Sequence, residues 1–110
     1  MKIARGDIII SSIGGLTGKP RPFVVIQTNL LTDNLFTTII APLTSEVRLE
    51  SEDFRPIIRP NTTNNLKQVS QIMLDHVTTI HKKDIHQTLG TVSKRELATL
   101  NSCISFVLGL

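Results

Sequence analysis

A chain of 110 residues is long enough for one domain with its own apolar core, and we treat residues 1–110 as a single domain. Hydrophobic residues make up 40% of the chain, an ordinary globular share, and the single cysteine, Cys103, excludes an internal disulfide. The net charge of +3 permits an anionic partner without requiring one. The apolar run at 8–13 is too short for a signal peptide, and no run reaches the roughly 18 to 20 residues of a membrane span. We therefore expect a soluble, cytoplasmic protein with no membrane association.

The first predicted strand covers residues 7–13, which are rich in β-branched side chains. The glycine-rich residues 14–19 follow it. They lack the residue order of a phosphate-binding loop and lead into another strand instead of a helix. The segment therefore fits a mobile flap over a groove or a plain connecting loop.

Two buried strands are predicted at residues 23–27 and 37–43, because both are apolar at consecutive positions, as in strands covered on both faces. Residues 32–34, Thr-Asp-Asn, have the side chains of a turn. Folding the chain about this turn places Arg21 opposite Thr44. Prolines on either side of Arg21 hold its backbone extended. The sequence thus predicts a cation beside a hydroxyl at the rim of a sheet.

The middle of the chain predicts short strands joined by turns. Alternation of charged and apolar residues over 46–53 predicts a short exposed strand. The remaining predicted elements are an extended edge segment at 55–60, a turn at 61–65, a strand at 69–74, a single helical turn at 82–84 and a last short strand at 86–92.

The C-terminal segment predicts a helix. Ser93 and Glu96 have the spacing of a capping box, apolar residues then recur at helical spacing, and Gly109 is a natural terminator. Cys103 lies on the apolar side of this helix, which favours a buried thiol over a nucleophile. The predicted fold class is mainly β or α+β, with about six or seven short strands in a small barrel-like sheet closed by one C-terminal helix.

Three histidines raise the alternative of an acid–base pair. His76, His81 and His86 are spaced by five residues, which matches neither one strand face nor one helix face. The same spacing, with a single distant cysteine, argues against a zinc site. We therefore expect no metal and no cofactor.

Several short motifs, in their order and spacing, resemble the MazF/PemK family of toxin ribonucleases. No single motif is specific, but together they extend over nearly the whole chain. They are Arg-Gly-Asp-Ile at 5–8, Arg-Pro-Phe-Val-Val-Ile-Gln at 21–27, Ala-Pro-Leu-Thr-Ser at 41–45, Val-Ser-Gln-Ile-Met-Leu-Asp at 69–75 and Leu-Gly at 108–109.

The resemblance implies an SH3-like barrel of the CcdB/MazF type with a C-terminal helix, which usually forms a homodimer. It also implies a toxin of a type II toxin–antitoxin system, held inactive by a cognate antitoxin protein. Such toxins cleave single-stranded RNA at particular sequences without a metal. The family's catalytic arginine falls on Arg21, and its catalytic hydroxyl falls on Thr44.

The resemblance and the residue chemistry together suggest RNA contacts at Lys19, Gln27, Ser45, His76 and Thr79. Many family members have Gln-Ile-Arg-Thr where this chain has His-Val-Thr-Thr at 76–79, so an arginine of that motif is missing. This difference bears on RNA contacts from that segment more than on the chemistry.

Metal-free RNA cleavage requires attack of the 2′-OH on phosphorus and stabilisation of the added negative charge. A guanidinium matches phosphate oxygens and stays charged, which suits Arg21, and Thr44 can add a hydroxyl hydrogen bond. The products would be a 2′,3′-cyclic phosphate and a 5′-hydroxyl. Whether Arg21 also relays a proton is left open by the sequence.

Two alternatives belong to other functional classes. A CcdB-like toxin has the same fold but poisons DNA gyrase by binding, without nuclease activity. A non-catalytic SH3-like binding module is the second alternative, although such modules usually have aromatic-lined grooves and this chain has four Phe and neither Trp nor Tyr. In such proteins Arg21 would be an ordinary surface residue.

Overall fold

The computed structural model describes residues 2–13 and 18–110, in which a curled antiparallel sheet packs against a C-terminal helix. Residues 14–17 of the glycine-rich segment, interpreted as a flap or a connecting loop, lie outside the described residues. The strands are β1 (Asp7–Ser11), β2 (Arg21–Val25), β3 (Thr37–Thr44), β4 (Ile57–Ile58), β5 (Ser70–Ile72), β6 (Thr78–His81) and β7 (Gln87–Thr91), and the helices are α1 (Asn29–Thr32) and α2 (Lys94–Leu108).

The sheet is organised around β3, its longest strand. The strand order is β4-β5-β3-β2-β1-β7, and β6 also pairs with β3. Along one edge β3 pairs with β2, and along the other it pairs with β6 and then β5, all antiparallel. Pairing one strand with three others curls the sheet into a half-barrel. The predicted fold class, a barrel-like sheet of about six or seven strands with a C-terminal helix, is confirmed.

The β2–β3 register matches the one predicted from the sequence. Val24 pairs with Ala41, and the same register continued toward the strand ends places Arg21 opposite Thr44. The predicted bounds of β2 were wrong by two residues at each end. Pro22 is tolerated inside the strand because it lies next to the strand start, where its fixed φ suits extended backbone.

The connection between β2 and β3 differs from the predicted turn at 32–34. It contains the short helix α1, whose first turn is closed by the N–H of Thr32 on the Thr28 carbonyl at 3.1 Å. The side chain of Gln27 donates to the Thr32 hydroxyl at 3.1 Å and fastens this helix to the end of β2. The β2–β3 register is the predicted one although the connection is helical, as the pair Val24–Ala41 shows.

The predicted exposed strand at 46–53 was wrong. Residues Leu49–Ser51 form a single 3₁₀ turn instead. The alternating pattern gave a wrong prediction because the backbone N–H and carbonyl of Arg48 in this segment form hydrogen bonds with the Gln71 side chain and not with a neighbouring strand. The sequence also missed β6, whose first two residues, Thr78 and Thr79, are exposed.

Other predicted elements agree with the structure apart from their ends. The turn cluster at 61–65 is confirmed by the side chain of Asn61, which accepts from the N–H groups of Thr63 and Asn64 at 2.9 and 2.8 Å. The helical turn at 82–84 is a 3₁₀ turn, Lys82–Asp84. The strands predicted at 7–13, 69–74 and 86–92 are each shorter, and only Ile57–Ile58 of the segment 55–60 pairs as a strand.

The central strands are buried on both faces of the sheet. Neighbouring residues Val24 and Val25 are both fully buried but belong to different apolar clusters. The helix-side core lies between the sheet and α2 and includes Ile8, Val24, Ala41, Leu43, Ile72, Leu100 and Cys103. The second core covers the other face and includes Ile9, Phe23, Val25, Ile40, Ile80 and Ile85.

The predicted cap and packing of α2 are confirmed. The Ser93 hydroxyl accepts from the Glu96 N–H at 3.1 Å, and the Glu96 carboxylate accepts from the Ser93 N–H at 2.9 Å. Gly109 ends the helix at a φ of 71°, the left-handed conformation that glycine adopts most readily. Cys103 is a buried thiol, and burial raises its pKa. No helix in the described ranges is long and apolar enough to cross a membrane.

Candidate active site

Arg21 and Thr44 lie at one rim of the sheet. Arg21 is the first residue of β2 and Thr44 is the last residue of β3, and the β2–β3 register, continued two residues past the pair Phe23–Pro42, places them opposite each other. The Arg21 side chain is exposed, and within residues 2–13 and 18–110 it makes no ion pair. Its guanidinium therefore has donors available for an anion.

The Thr44 hydroxyl is oriented by its own loop. Its oxygen accepts from the N–H of Glu46 at 3.1 Å, which fixes the side-chain rotamer. The hydroxyl hydrogen is still free to donate, because the contact with Glu46 uses only an oxygen lone pair. Thr44 thus presents a donor beside the Arg21 position.

Behind Thr44, the fully buried Gln71 fixes the adjacent loop. Gln71 pairs with Thr44 across β3 and β5. Its Nε2 donates to the carbonyls of Arg48 and Arg55 at 3.1 and 2.8 Å and to the Ser51 hydroxyl at 3.3 Å, while its Oε1 accepts from the Arg48 N–H at 2.7 Å. Sequence reasoning missed this role. The available signal was a carboxamide directly before the apolar run Ile72–Leu74 of a predicted strand.

An ion pair lies next to His76, one of the predicted RNA contacts. Arg55 donates two hydrogen bonds of 2.9 Å to the Asp75 carboxylate, which holds the pKa of Asp75 below its usual value. The His76 Nε2 is 3.4 Å from the Asp75 Oδ2 and 3.3 Å from the Arg55 Nη2. His76 is half exposed and joins this surface cluster, so a ligand could reach it.

The remaining predicted RNA contacts are spread over the sheet. Lys19 is exposed just before β2, and Ser45 directly follows Thr44, so both lie at the same rim as Arg21. Gln27 lies beyond the other end of β2, where its side chain anchors α1. Thr79 is exposed on β6, which pairs with the first half of β3, away from Thr44. The structure therefore brings Lys19 and Ser45 to the candidate site and separates Gln27 and Thr79 from it.

The histidines occupy separate elements. His76 is in a 3₁₀ turn, His81 ends β6 and stacks on Phe36 with ring centroids 6.2 Å apart, and His86 precedes β7. Among the residues that the structure describes, no group of three or more His, Cys, Asp or Glu side chains is placed to hold a metal ion.

A pocket of about 430 Å³ opens beside the rim and is called here the rim pocket. Arg21 and Ser45 line it, but Thr44 does not. Thr44 points to the face opposite Leu43, which is part of the pocket floor, whereas Arg21 borders the pocket from the start of β2, at the rim. The rim pocket therefore borders the predicted pair on the side of Arg21, and sequence reasoning did not find it.

Comparison of the sequence with known proteins shows the family of this chain. Residues 4–108 match the family described as PemK-like, MazF-like toxin of type II toxin–antitoxin system. The chain is 28% identical over 107 residues to a protein from Mycolicibacterium smegmatis named probable endoribonuclease MazF, and the match covers 96% of each chain.

Solved structures share the fold. A mycobacterial endoribonuclease in complex with its cognate antitoxin has a TM-score of 0.84 at 17% identity, covering 99% of this chain and 97% of that chain. The Mycobacterium tuberculosis toxin MazF-mt6 has a TM-score of 0.80 at 22% identity, covering 94% and 97%. The resemblance found in the sequence motifs is thus confirmed, and the chain belongs to the family of PemK-like, MazF-like toxins of type II toxin–antitoxin systems.

Proposed function

We propose that this toxin is a sequence-specific endoribonuclease that cleaves single-stranded RNA without a metal, with Arg21 and Thr44 as catalytic residues. The observation that carries the proposal is the placement of an exposed arginine free of ion pairs in the described ranges beside an oriented hydroxyl at the sheet rim. A relative that is 28% identical is named a probable endoribonuclease, which agrees with this activity.

In the proposed reaction, the 2′-oxygen of one nucleotide attacks the adjacent phosphorus, and the bond from phosphorus to the 5′-oxygen breaks. The attacking hydroxyl loses a proton and the leaving oxygen gains one, so the products are a 2′,3′-cyclic phosphate and a 5′-hydroxyl. Arg21 donates to the non-bridging oxygens, whose negative charge increases in the transition state. Thr44 donates one further hydrogen bond to a phosphate oxygen.

Arg21 is best suited to charge stabilisation because a guanidinium stays protonated at ordinary pH. Preorganised donors of this kind contribute about 3–4 kcal/mol each to transition-state stabilisation. A neutral hydroxyl contributes about 0.5–1.5 kcal/mol. We therefore assign the larger part of the rate enhancement to Arg21 and the smaller part to Thr44.

The test uses Arg21→Ala and Arg21→Lys with a long single-stranded RNA in the presence of EDTA. We expect wild type to cleave, Arg21→Ala to lose about 100- to 1,000-fold in rate, and Arg21→Lys to bind RNA but cleave slowly, since lysine keeps the charge without the planar fork. Arg95→Ala, which removes an exposed arginine from α2, is the matched control and should cleave normally. Full activity of Arg21→Ala, or loss of cleavage in EDTA, would refute the mechanism.

Thr44 is tested by a pair of variants. Thr44→Val keeps the branched shape but loses the hydroxyl, and we expect a rate lower by about 2- to 10-fold. Thr44→Ser keeps the hydroxyl and should retain most of the rate. Equal rates for Thr44→Val and wild type would exclude the hydroxyl from the reaction.

We further propose a homodimer. Leu30, Leu31 and Phe36, around α1, and Phe106 and Leu110, at the end of α2, are at least half exposed. Large exposed apolar side chains of this kind often mark protein contacts. Light scattering at micromolar concentration should give twice the 12.2 kDa chain mass. A strict monomer with full cleavage activity would argue against the dimer.

We also propose a cognate antitoxin partner in the cytoplasm. Several structural neighbours are described as complexes, one of an endoribonuclease with its cognate antitoxin and three as MazE-MazF from Deinococcus radiodurans. An acidic, partly disordered antitoxin segment would suit the positive charge of this chain. Co-expression of the neighbouring open reading frame should restore growth that the toxin alone arrests, and failure of adjacent small gene products to bind would count against this partner.

A further inference from the structure

We propose that the rim pocket binds one nucleobase of the RNA, next to the phosphate that Arg21 holds, and selects that base through Gln68 and Gln87. This inference rests on the proposed function, because it assigns a specificity site to the same RNA substrate.

The floor is an apolar row across three strands, β1, β2 and β3, with the polar Gln87 of β7 at its end. Ile10 pairs with Gln87 on β7 and with Pro22 on β2, and the β2–β3 register continues this row to Leu43. Pro22 lies two residues from the buried Val24, so alternation places the row on the same face as the helix-side core. The pocket is therefore an open continuation of the core face, which gives the flat face of a base an apolar surface to contact.

The walls and volume suit a ligand of this size. Leu66 and Leu89, both partly buried and packed against the helix-side core, line the pocket. Its volume of about 430 Å³ is within the ~300–1,000 Å³ of typical small-ligand sites. One nucleotide can therefore enter while the rest of the RNA stays outside.

The charge of the lining favours an anionic ligand. Arg21 and Lys67 both line the pocket, and of the described lining residues none is acidic. Two cations without a carboxylate attract phosphates on either side of a bound base. An apolar floor beside two cations matches the chemistry of a nucleotide, which has an apolar base face and a charged phosphate.

Two carboxamides are free to read the base edge. Gln68 and Gln87 are exposed, and neither side chain makes a hydrogen bond within the described residues. Each carries a donor and an acceptor, which can pair with the edge of an unstacked base. Asn65 and Ser70 also line the pocket, but their side chains donate to the carbonyls of Leu89 and Gln68 at 2.8 and 3.1 Å and serve to hold the wall.

The location connects the pocket to the reaction. Arg21 and Ser45 border it, and Arg21 and Thr44 sit at the ends of the strands whose faces form the floor. RNA that crosses these strand ends can place a phosphate on Arg21 while the neighbouring base turns into the pocket. The selected position is therefore a nucleotide directly flanking the cut.

The experiment maps the cut in a long RNA and then compares short RNAs that carry each of the four bases at the two flanking positions. Wild type, Gln68→Leu and Gln87→Leu are tested in cleavage and, with a 2′-deoxy nucleotide at the cut, in binding by fluorescence anisotropy. We expect base discrimination at one flanking position to fall by about 5- to 100-fold in at least one variant. Thr88→Val, next to Gln87 but on the other strand face, should discriminate like wild type. Circular dichroism checks that each variant folds.

The outcomes separate this inference from the proposed function. Cleavage with base discrimination unchanged in both glutamine variants would overturn the pocket assignment and leave the nuclease intact. In a second outcome, wild type binds RNA and discriminates between bases but does not cleave, and a glutamine variant binds without this discrimination. That result would support the pocket assignment and reject the nuclease activity. An absence of both RNA binding and cleavage in wild type would overturn both.

Discussion

Replacing Gln71 by leucine tests whether one buried side chain holds the loop beside the candidate active site. Leucine fills much of the same space, so the main change is the loss of four hydrogen bonds to the 48–55 segment. The Arg48 carbonyl still accepts from the Ser51 hydroxyl at 2.7 Å. The Arg48 N–H and the Arg55 carbonyl would lose the Gln71 contacts at 2.7 and 2.8 Å.

The expected loss of folding stability follows from the Arg48 N–H and the Arg55 carbonyl, which are left without the Gln71 side chain. Leaving one buried polar group without a partner costs about 1–3 kcal/mol. Both groups are partly buried, and the leucine side chain gains some stability from burial, so we expect the free energy of unfolding to fall by about 2–4 kcal/mol. Most small domains have about 5–15 kcal/mol of stability, so the variant should still fold.

Urea unfolding followed by far-ultraviolet circular dichroism is the suitable assay, because the chain has neither Trp nor Tyr for fluorescence. Protein concentration must be the same for all variants, since a dimer would make stability depend on it. Gln68→Leu is the matched control: its side chain is exposed, and we expect a change within about 0.5 kcal/mol. A loss below about 1 kcal/mol for Gln71→Leu would refute the reasoning, because the loop would then be held by something else.

Three further predictions concern stability. Gly90→Ala should destabilise by at least about 2 kcal/mol in urea unfolding, because a Cβ there would collide with the Thr63 backbone carbonyl; near-normal stability would contradict this packing. Ser93→Ala should cost about 1 kcal/mol in the same assay, whereas Ser93→Asp should keep the cap. Since Arg55 holds the folded-state pKa of Asp75 below its unfolded value, this pair stabilises the protein above about pH 4 and loses its contribution as pH falls through the folded pKa. Stability measured from neutral to acid pH should show less of this loss in Asp75→Asn, and identical profiles would refute it.

The sequence by itself determined the central strands, the C-terminal helix and one long-range register. Consecutive apolar residues around Val24 and Ala41 predicted strands buried on both faces, and these strands pair as expected. The cap at Ser93 and the terminator at Gly109 depend only on neighbouring residues, so the bounds of α2 followed from them. The juxtaposition of Arg21 and Thr44 followed because only one connection separates β2 and β3.

The tertiary structure determined the contacts between residues that are distant in the sequence. The 46–53 segment has an alternating strand pattern, yet its backbone partner is the side chain of Gln71, which no local propensity encodes. The rim pocket combines Ile10, Leu43, Leu66 and Gln87, which come from separate segments of the chain. Its floor exists only because strand pairing aligns those residues on one face of the sheet, and α2 covers only part of that face. Packing, and not sequence pattern, therefore decided where the surface is concave and which polar groups were left free to bind a ligand.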